Sequence, residues 1–142
     1  MQRTLPPRRP VRPLVLMMDP DLDTRAMYAF ALSGIGFDVV PVADGEHAWT
    51  RAWQMKPDVI VTDLPLKESE RWTLLRMLRQ DPRTCDIPVV VVTGHATMSV
   101  RDRAVREGCA AFYTKPCMPD RLAVTLRTVL AEQAVDNRVA RG

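Results

Sequence analysis

Five short apolar runs recur along the chain, and a segment with helical spacing of its apolar residues follows each of them. The runs are Leu14–Met18, Phe37–Val42, Val59–Thr62, Val89–Val92 and Ala110–Thr114. Strand-like runs that alternate with helical segments are typical of βαβ units around a parallel sheet. The unbroken apolar character of the first run favours a strand buried on both faces. The sequence therefore predicts an α/β fold, a doubly wound five-stranded parallel sheet with helices on both faces.

The segments after the strands predict five helices. They are Leu22–Ser33, Glu46–Met55, Trp72–Arg79, Met98–Glu107 and Asp120–Gln133. An apolar stripe on the first helix is expected to face the core, and it comprises Leu22, Ala26, Ala29, Phe30 and Ser33. Gly34 and Gly36 are expected to end this helix. Pro41, near the end of the second strand, indicates an edge strand.

Length and charge favour one domain with short extensions. The 142 residues suit a single core. Residues 1–12 are predicted to be a disordered, basic and proline-rich leader, residues 13–134 the domain, and residues 135–142 a flexible tail. The net charge of +3 arises in the leader region, where residues 1–13 hold four arginines and no acid. The remainder is close to neutral, which does not favour a nucleic-acid partner.

Neither targeting segments nor cysteines point to another class of protein. No apolar stretch approaches the roughly 18 residues that span a bilayer, and no signal peptide is evident, so we expect a cytoplasmic protein without a membrane partner. Cys85, Cys109 and Cys117 form no metal-type pair, and we expect reduced, packed thiols. His47 and His95 are interpreted as solvated loop or surface residues.

Chemically useful side chains follow four of the predicted strands. Asp19 comes after the first strand, Asp63 after the third, Thr93 ends the fourth, and Lys115 follows the fifth. In an open parallel sheet, ligands bind outside the carboxyl ends of the strands. Two carboxylates, a hydroxyl and an ammonium group are therefore expected to converge at one edge.

This set of groups is suited to phosphoryl transfer. Two carboxylates held together repel each other, and Mg²⁺ relieves that repulsion with only one or two protein carboxylates as ligands. A lysine and a hydroxyl can bind the remaining phosphoryl oxygens, and a carboxylate is a competent nucleophile toward phosphorus. The pattern predicts an aspartyl-phosphate. Asp21 and Asp23 are also consistent with helix capping or a solvated loop.

From Val15 to Leu130 the chain resembles the receiver domains of bacterial two-component response regulators. The matching segments are Val15–Asp19, Pro57–Leu64, Val91–His95 and Gly108–Pro116. The intervals between Asp63, Thr93 and Lys115 also resemble those of the family. The resemblance implies a flavodoxin-like strand order 2-1-3-4-5.

The resemblance also implies a role for each matching residue. Asp63 would be the phosphoacceptor, Lys115 would pair with the phosphate, and Thr93 would be the switch hydroxyl, with Phe112 the aromatic side chain that follows it. The implied Mg²⁺ ligands are Asp19, Asp63 and the backbone carbonyl of Pro65, with Asp21 as a further candidate through a water molecule. The Lys115–Pro116 peptide bond resembles one that is cis in this family.

The sequence departs from the family pattern in two places. Pro20 stands where the family has a second acid beside Asp19, which weakens the metal site. In the loop after Asp63, Lys67 replaces the usual proline, and Glu68 and Arg71 replace the usual glycines. The loop therefore loses backbone freedom and gains charge.

The resemblance leads to two hypotheses about function. In the first, Asp63 accepts phosphate from a sensor histidine kinase or a phosphotransfer protein and switches binding to an unknown downstream protein. A homodimer through the fourth helix, fifth strand and fifth helix is a further expectation. In the second, the chain is a pseudo-receiver, a binding module that works without phosphate.

We expect no enzyme activity beyond Mg²⁺-dependent self-phosphorylation and slow self-dephosphorylation. Asp19-Pro20-Asp21 also resembles the nucleophile motif of haloacid-dehalogenase-type phosphatases. That family expects Thr or Val where this chain has Asp23, and it expects a late acidic pair that is missing after Lys115. The phosphatase reading is therefore disfavoured.

Overall fold

A computed structural model describes residues 12–141 as a five-stranded sheet with five α-helices. The strands are β1 (Leu14–Met18), β2 (Asp38–Val42), β3 (Val59–Thr62), β4 (Val89–Thr93) and β5 (Ala111–Thr114). The helices are α1 (Leu22–Ile35), α2 (Gly45–Met55), α3 (Thr73–Gln80), α4 (Met98–Arg106) and α5 (Pro119–Arg141). A short 3₁₀ turn, Glu68–Glu70, lies between β3 and α3.

All neighbouring strands are parallel, and their order is β2-β1-β3-β4-β5. The predicted fold class and strand order are confirmed. The central strands β3 and β4 are buried along their whole length, which explains their unbroken apolar sequences. Pro41 lies in the edge strand β2, as expected for a residue without a backbone N–H group.

The sheet has a hydrophobic core on each face. On one face, α1 and α5 contribute Tyr28, Leu32, Leu122 and Leu126 to a cluster with Val15 of β1. On the other face, α2 and α3 pack Ala52, Leu75 and Leu78 against alternate residues of the same strands. Because alternate side chains of each strand enter opposite cores, the strands are fixed in register and their carboxyl ends align at one edge.

The structure corrects the predicted face of α1. Tyr28 and Leu32 face the core, whereas Leu22 is 65% exposed and Phe30 is 85% exposed. The helix has apolar residues nearly all round, so two stripes satisfy helical spacing and the sequence does not choose between them. Tyr28 is fixed by tertiary structure, because its hydroxyl donates a hydrogen bond of 2.5 Å to the Cys117 carbonyl.

Both ends of the described chain are more ordered than the sequence predicted. Helix α5 continues to Arg141, through most of the predicted tail, since no proline or glycine interrupts it before Gly142. Arg12, assigned to the leader, bonds to the Asp38 carboxylate and to the carbonyls of Ser33 and Phe37. The rest of the predicted leader, residues 1–11, lies outside the described residues.

Cys85, Cys109 and Cys117 are free thiols, and Cys117 is buried. Within residues 12–141, none of the helices combines the length and the apolar character that crossing a bilayer requires.

Gly108 joins α4 to β5 in a backbone conformation that glycine tolerates best. Its φ is +88°, and an added Cβ would lie 2.6 Å from Nη2 of Arg79, which bonds to the Gly108 carbonyl. We expect Gly108→Ala to lower the free energy of unfolding by about 1–2 kcal/mol. Gly34→Ala is the control, because nothing lies within 4 Å of its Cβ position and alanine favours a helix. Equal denaturation midpoints for the two variants would contradict this prediction.

Candidate functional site

The carboxyl ends of the strands carry the four predicted side chains to one edge of the sheet. Asp19 directly follows β1, and its backbone N–H donates to the Val42 carbonyl of β2. Asp63 directly follows β3, and its N–H donates to the Met18 carbonyl of β1. These bonds extend the sheet pattern by one residue, so both aspartates occupy fixed backbone positions.

Lys115 links the two aspartates. Its Nζ donates to Asp19 Oδ2 at 2.7 Å and to Asp63 Oδ2 at 2.8 Å, an arrangement called here the lysine bridge. The side chains of Asp19 and Asp63 are only 4% and 14% exposed. Two largely buried carboxylates thus share one ammonium group, and the trio keeps a net charge of −1.

The remaining carboxylate oxygens are also oriented by the backbone. Asp19 Oδ1 accepts from the N–H of Asp21 at 2.9 Å, and Asp63 Oδ1 accepts from the N–H of Leu64 at 2.7 Å. Each carboxylate therefore has a fixed rotation about its side-chain bonds. Fixed oxygens of this kind favour reaction with a phosphorus atom that arrives along one direction.

Asp21 has the capping role that the sequence also allowed for it. Its Oδ2 accepts from the backbone N–H and the hydroxyl of Thr24, at 2.9 and 2.6 Å, and so caps the start of α1. These hydrogen bonds, the hydroxyl bond first, lower the pKa of the Asp21 carboxyl below its usual value. Among residues 12–141 there is no group of three His, Cys, Asp or Glu side chains that could hold a metal.

The donors present still meet the minimum for Mg²⁺. Asp63 and Pro65 line one cavity of about 520 Å³, and Asp19 lies beside Asp63 through the lysine bridge. Two carboxylates and a backbone carbonyl suit a cation that keeps several of its own waters. The ammonium group of Lys115 already neutralises part of this charge, so a cation gains less here than beside three acids.

Thr93 and Phe112 lie on neighbouring strands close to this edge. The buried Thr93 hydroxyl accepts a hydrogen bond of 3.1 Å from the His95 N–H, and the Thr93 carbonyl accepts from the Lys115 N–H at 2.9 Å. Phe112 of β5 lies opposite Val91 of β4 and is half-buried. The Lys115–Pro116 bond is cis, as the resemblance implied. Movement of the Thr93 hydroxyl would thus disturb the loop that carries His95.

Two arginines contact the backbone of the site, and neither contact was predicted. Arg25 donates from Nη1 to the Asp19 carbonyl at 2.8 Å. Arg71 donates from Nε to the Pro65 carbonyl at 3.3 Å and from Nη2 to the Leu66 carbonyl at 3.1 Å. The charge of Arg71 in this loop was visible in the sequence, but its target was not, because an arginine side chain reaches many positions.

The lysine bridge makes a prediction about pH. Burial disfavours the Lys115 ammonium, but its bonds to Asp19 and Asp63 outweigh burial and raise its pKa above the usual 10.5. The contribution of the ammonium to stability is therefore complete below about pH 10.5 and is lost as the pH rises through the raised pKa. Lys115→Met should cost stability at about pH 8, and the cost should shrink at about pH 11. Urea denaturation of both proteins measures this, and a pH-independent difference would contradict it.

Comparison with known proteins gives a consistent result for most of the chain. Residues 15–127 match the family model of the response regulator receiver domain. The chain is 30% identical over 118 residues to the DNA-binding dual master transcriptional regulator RpaA of Synechocystis sp., which covers 83% of this chain and 49% of that protein. It is 29% identical over 120 residues to the response regulator Rre1 of the same organism, covering 84% and 52%. The chain spans about half the length of these curated relatives.

Solved structures share the fold. The chemotaxis protein CheY4 of Vibrio cholerae superposes with a TM-score of 0.77 at 24% identity, covering 84% of this chain and 99% of that one. A CheY-like response regulator receiver domain protein of Methanospirillum hungatei gives 0.79 at 20% identity, covering 89% and 99%. At such identities the likeness concerns the fold alone.

Proposed function

Because the chain belongs to the response-regulator receiver family of two-component signalling, we propose that it accepts a phosphoryl group on Asp63 and changes its partner binding in response. The lysine bridge is the observation that carries this proposal. It places one oxygen of each of two carboxylates, at the sheet edge, 2.7 and 2.8 Å from the Lys115 ammonium nitrogen. The phosphoryl donor would be a sensor histidine kinase or a phosphotransfer protein. The identity of the downstream protein is not part of the proposal.

The proposed step is a simple displacement at phosphorus. An oxygen of Asp63 forms the new O–P bond, and the bond between phosphorus and the donor nitrogen breaks with its electron pair leaving on the donor. Lys115 turns from the Asp63 carboxylate to the phosphoryl oxygens, where its ammonium offsets the incoming negative charge. A Mg²⁺ ion held by Asp19, Asp63 and the Pro65 carbonyl would supply further charge neutralisation.

The proposed response begins at Thr93. Its hydroxyl would exchange the His95 N–H for a phosphoryl oxygen, which frees the loop before α4. Phe112 would follow, since it lies on the neighbouring strand, and Arg101 of α4 lies over its ring at 5.9 Å. The surface of α4, β5 and α5 would then change shape, and a homodimer through that surface remains part of the proposal.

A small acyl-phosphate donor tests the phosphoacceptor function directly. With Mg²⁺ present, we expect the intact mass to rise by one phosphoryl group, and we expect a chelator to prevent the gain. Beyond this self-phosphorylation and a slow self-dephosphorylation, we propose no enzyme activity. A chain that never gains the mass at high donor and high Mg²⁺ would reject the proposal.

A pseudo-receiver is the second candidate function, and one observation favours it. Pro20 stands where a further carboxylate is expected, and the lysine bridge already neutralises part of the charge of the two that remain. A domain with this arrangement can present its α4–β5–α5 surface without phosphate. The mass measurement separates the two candidates, because only the phosphoacceptor gains a phosphoryl group.

The exposed stripe of α1 offers a surface for the phosphoryl donor. Leu22 and Phe30 are exposed to solvent on α1, the helix that begins close to Asp19. Exposed apolar residues of this kind mark interaction sites. We expect Phe30→Ala to reduce transfer from the cognate phosphotransfer protein about 5- to 50-fold. Phosphorylation of Phe30→Ala by the small donor should be unaffected. Both reactions should also be unaffected in Val135→Ala, because the exposed Val135 side chain lies far along α5. An equal loss with the small donor would contradict a docking role.

We also propose that the domain acts in the cytoplasm, where histidine kinases present their phosphoryl groups. DNA binding and transcriptional regulation are named for one relative, RpaA, and the match to this chain covers 49% of that protein. For the present chain we propose a protein partner.

A further inference from the structure

We propose that Arg71 is a built-in competitor of the divalent cation at the Pro65 carbonyl and thereby sets the cation affinity of the site. This inference rests on the proposed Mg²⁺-dependent phosphoacceptor function. The arrangement belongs to this chain, since Arg71 stands in a loop where the family resemblance leads one to expect glycine. A glycine offers no side chain that could reach a carbonyl.

The guanidinium group of Arg71 holds two successive carbonyls. Its Nε donates to Pro65 and its Nη2 donates to Leu66, at 3.3 and 3.1 Å. A planar fork with two fixed donors is suited to this double contact, and a single lysine ammonium is less so. The Pro65 carbonyl is the one backbone oxygen expected to join Asp63 in binding the cation, so Arg71 occupies the same acceptor.

The surroundings of Arg71 leave its positive charge directed at the site. Within residues 12–141, Arg71 forms no salt bridge, whereas Arg76 pairs with Glu107 and Arg83 with Asp81. Arg71 and Asp63 line the same cavity, together with Pro65. Its charge is therefore not cancelled by a carboxylate of its own.

A cation and Arg71 cannot share the Pro65 oxygen without cost. The oxygen has two lone pairs, so both contacts are geometrically possible. A doubly charged ion and a guanidinium on one oxygen repel each other strongly at this separation. Cation binding therefore requires Arg71 to withdraw from the Pro65 carbonyl. The free energy of breaking its two hydrogen bonds makes the free energy of cation binding less favourable. By reciprocity, a bound cation weakens the hold of Arg71 on the loop.

Calorimetric titration with MgCl₂, without any phosphodonor, measures the effect. We expect Arg71→Ala to bind Mg²⁺ about 5- to 10-fold more tightly than the unmodified chain. Arg71→Lys should gain less, because it keeps the charge and loses the fork. Arg76→Ala is the matched control: it removes the same charge from the neighbouring helix, and its affinity should stay within about twofold of the unmodified chain.

Nitrogen-15 spectra of the unmodified chain give a second measurement, in which a variant serves only to assign the resonance. The Nε–H resonance of Arg71, identified by its loss in Arg71→Lys, should shift as Mg²⁺ saturates the site, while that of Arg83 should not. A static Arg71 resonance at saturation would overturn the inference. So would an unchanged affinity in Arg71→Ala, an equal gain in Arg76→Ala, or no Mg²⁺ binding by any variant. If the affinities change as expected but no phosphoryl group is gained in the mass measurement, the proposed function alone fails.

Discussion

Asp63→Asn should abolish the gain of a phosphoryl group from a small donor, with a loss of at least about 100-fold in the modified fraction. The amide oxygen of asparagine is a poor nucleophile, and asparagine forms no stable acyl phosphate. The fold should persist, because the new side chain can still accept from the Leu64 N–H that now bonds to Asp63 Oδ1. Lys115 also keeps Asp19 as a partner.

Asp58→Asn is the matched control for this experiment. Asp58 lies just before β3, at the opposite end of that strand from Asp63, and its carboxylate accepts from the Leu14 N–H at 2.7 Å. The same chemical change five residues earlier should leave phosphoryl uptake intact. Uptake that persists in Asp63→Asn, with full loss in Asp58→Asn, would assign the acceptor to another part of the molecule.

Pro20→Asp should restore a strong cation site and produce the second large effect. A third carboxylate beside Asp19 adds direct attraction for a divalent ion, and we expect Mg²⁺ to bind about tenfold more tightly, which corresponds to about 1.4 kcal/mol. Without metal, the same carboxylate repels Asp19 and Asp63, so the variant should unfold at a lower temperature than the unmodified chain. With Mg²⁺ added, the variant should instead unfold at a higher temperature than the unmodified chain.

Pro20→Asn separates charge from backbone effects in that experiment. Asparagine removes the proline ring and has nearly the size of aspartate, but it carries no charge. Thermal unfolding with and without Mg²⁺ should place Pro20→Asn close to the unmodified chain in both conditions. An equal response of the Asn and Asp variants to Mg²⁺ would show that the proline ring, and not the missing acid, limits the site.

The strand-end residues were predictable because strand identity and position follow from unbroken apolar runs. Leu14–Met18 and Val89–Val92 have no polar alternation, so they belong at the centre of a parallel sheet. Once the sheet is parallel, Asp19, Asp63 and Lys115 must meet at its carboxyl edge. The lysine bridge is the local consequence of that topology.

Other features depend on contacts that periodicity does not report. The face of α1 was wrongly predicted because Phe30 and Leu32 both belong to apolar stripes, and only packing against α5 selects one of them. The length of α5 depends on residues such as Asp136 and Asn137, whose weak helix preference gives no clear end point. The hydrogen bond from Arg71 to the Pro65 carbonyl depends on a long side chain that extends across a loop.

Chemical trapping of the modified side chain tests the central claim most directly. After reaction with the small donor and Mg²⁺, borohydride reduces an aspartyl-phosphate to homoserine, and peptide mass mapping finds the altered residue. The account predicts homoserine at position 63 and unmodified aspartate at positions 19 and 21. Homoserine at another position, or at none despite ample donor and Mg²⁺, would contradict it.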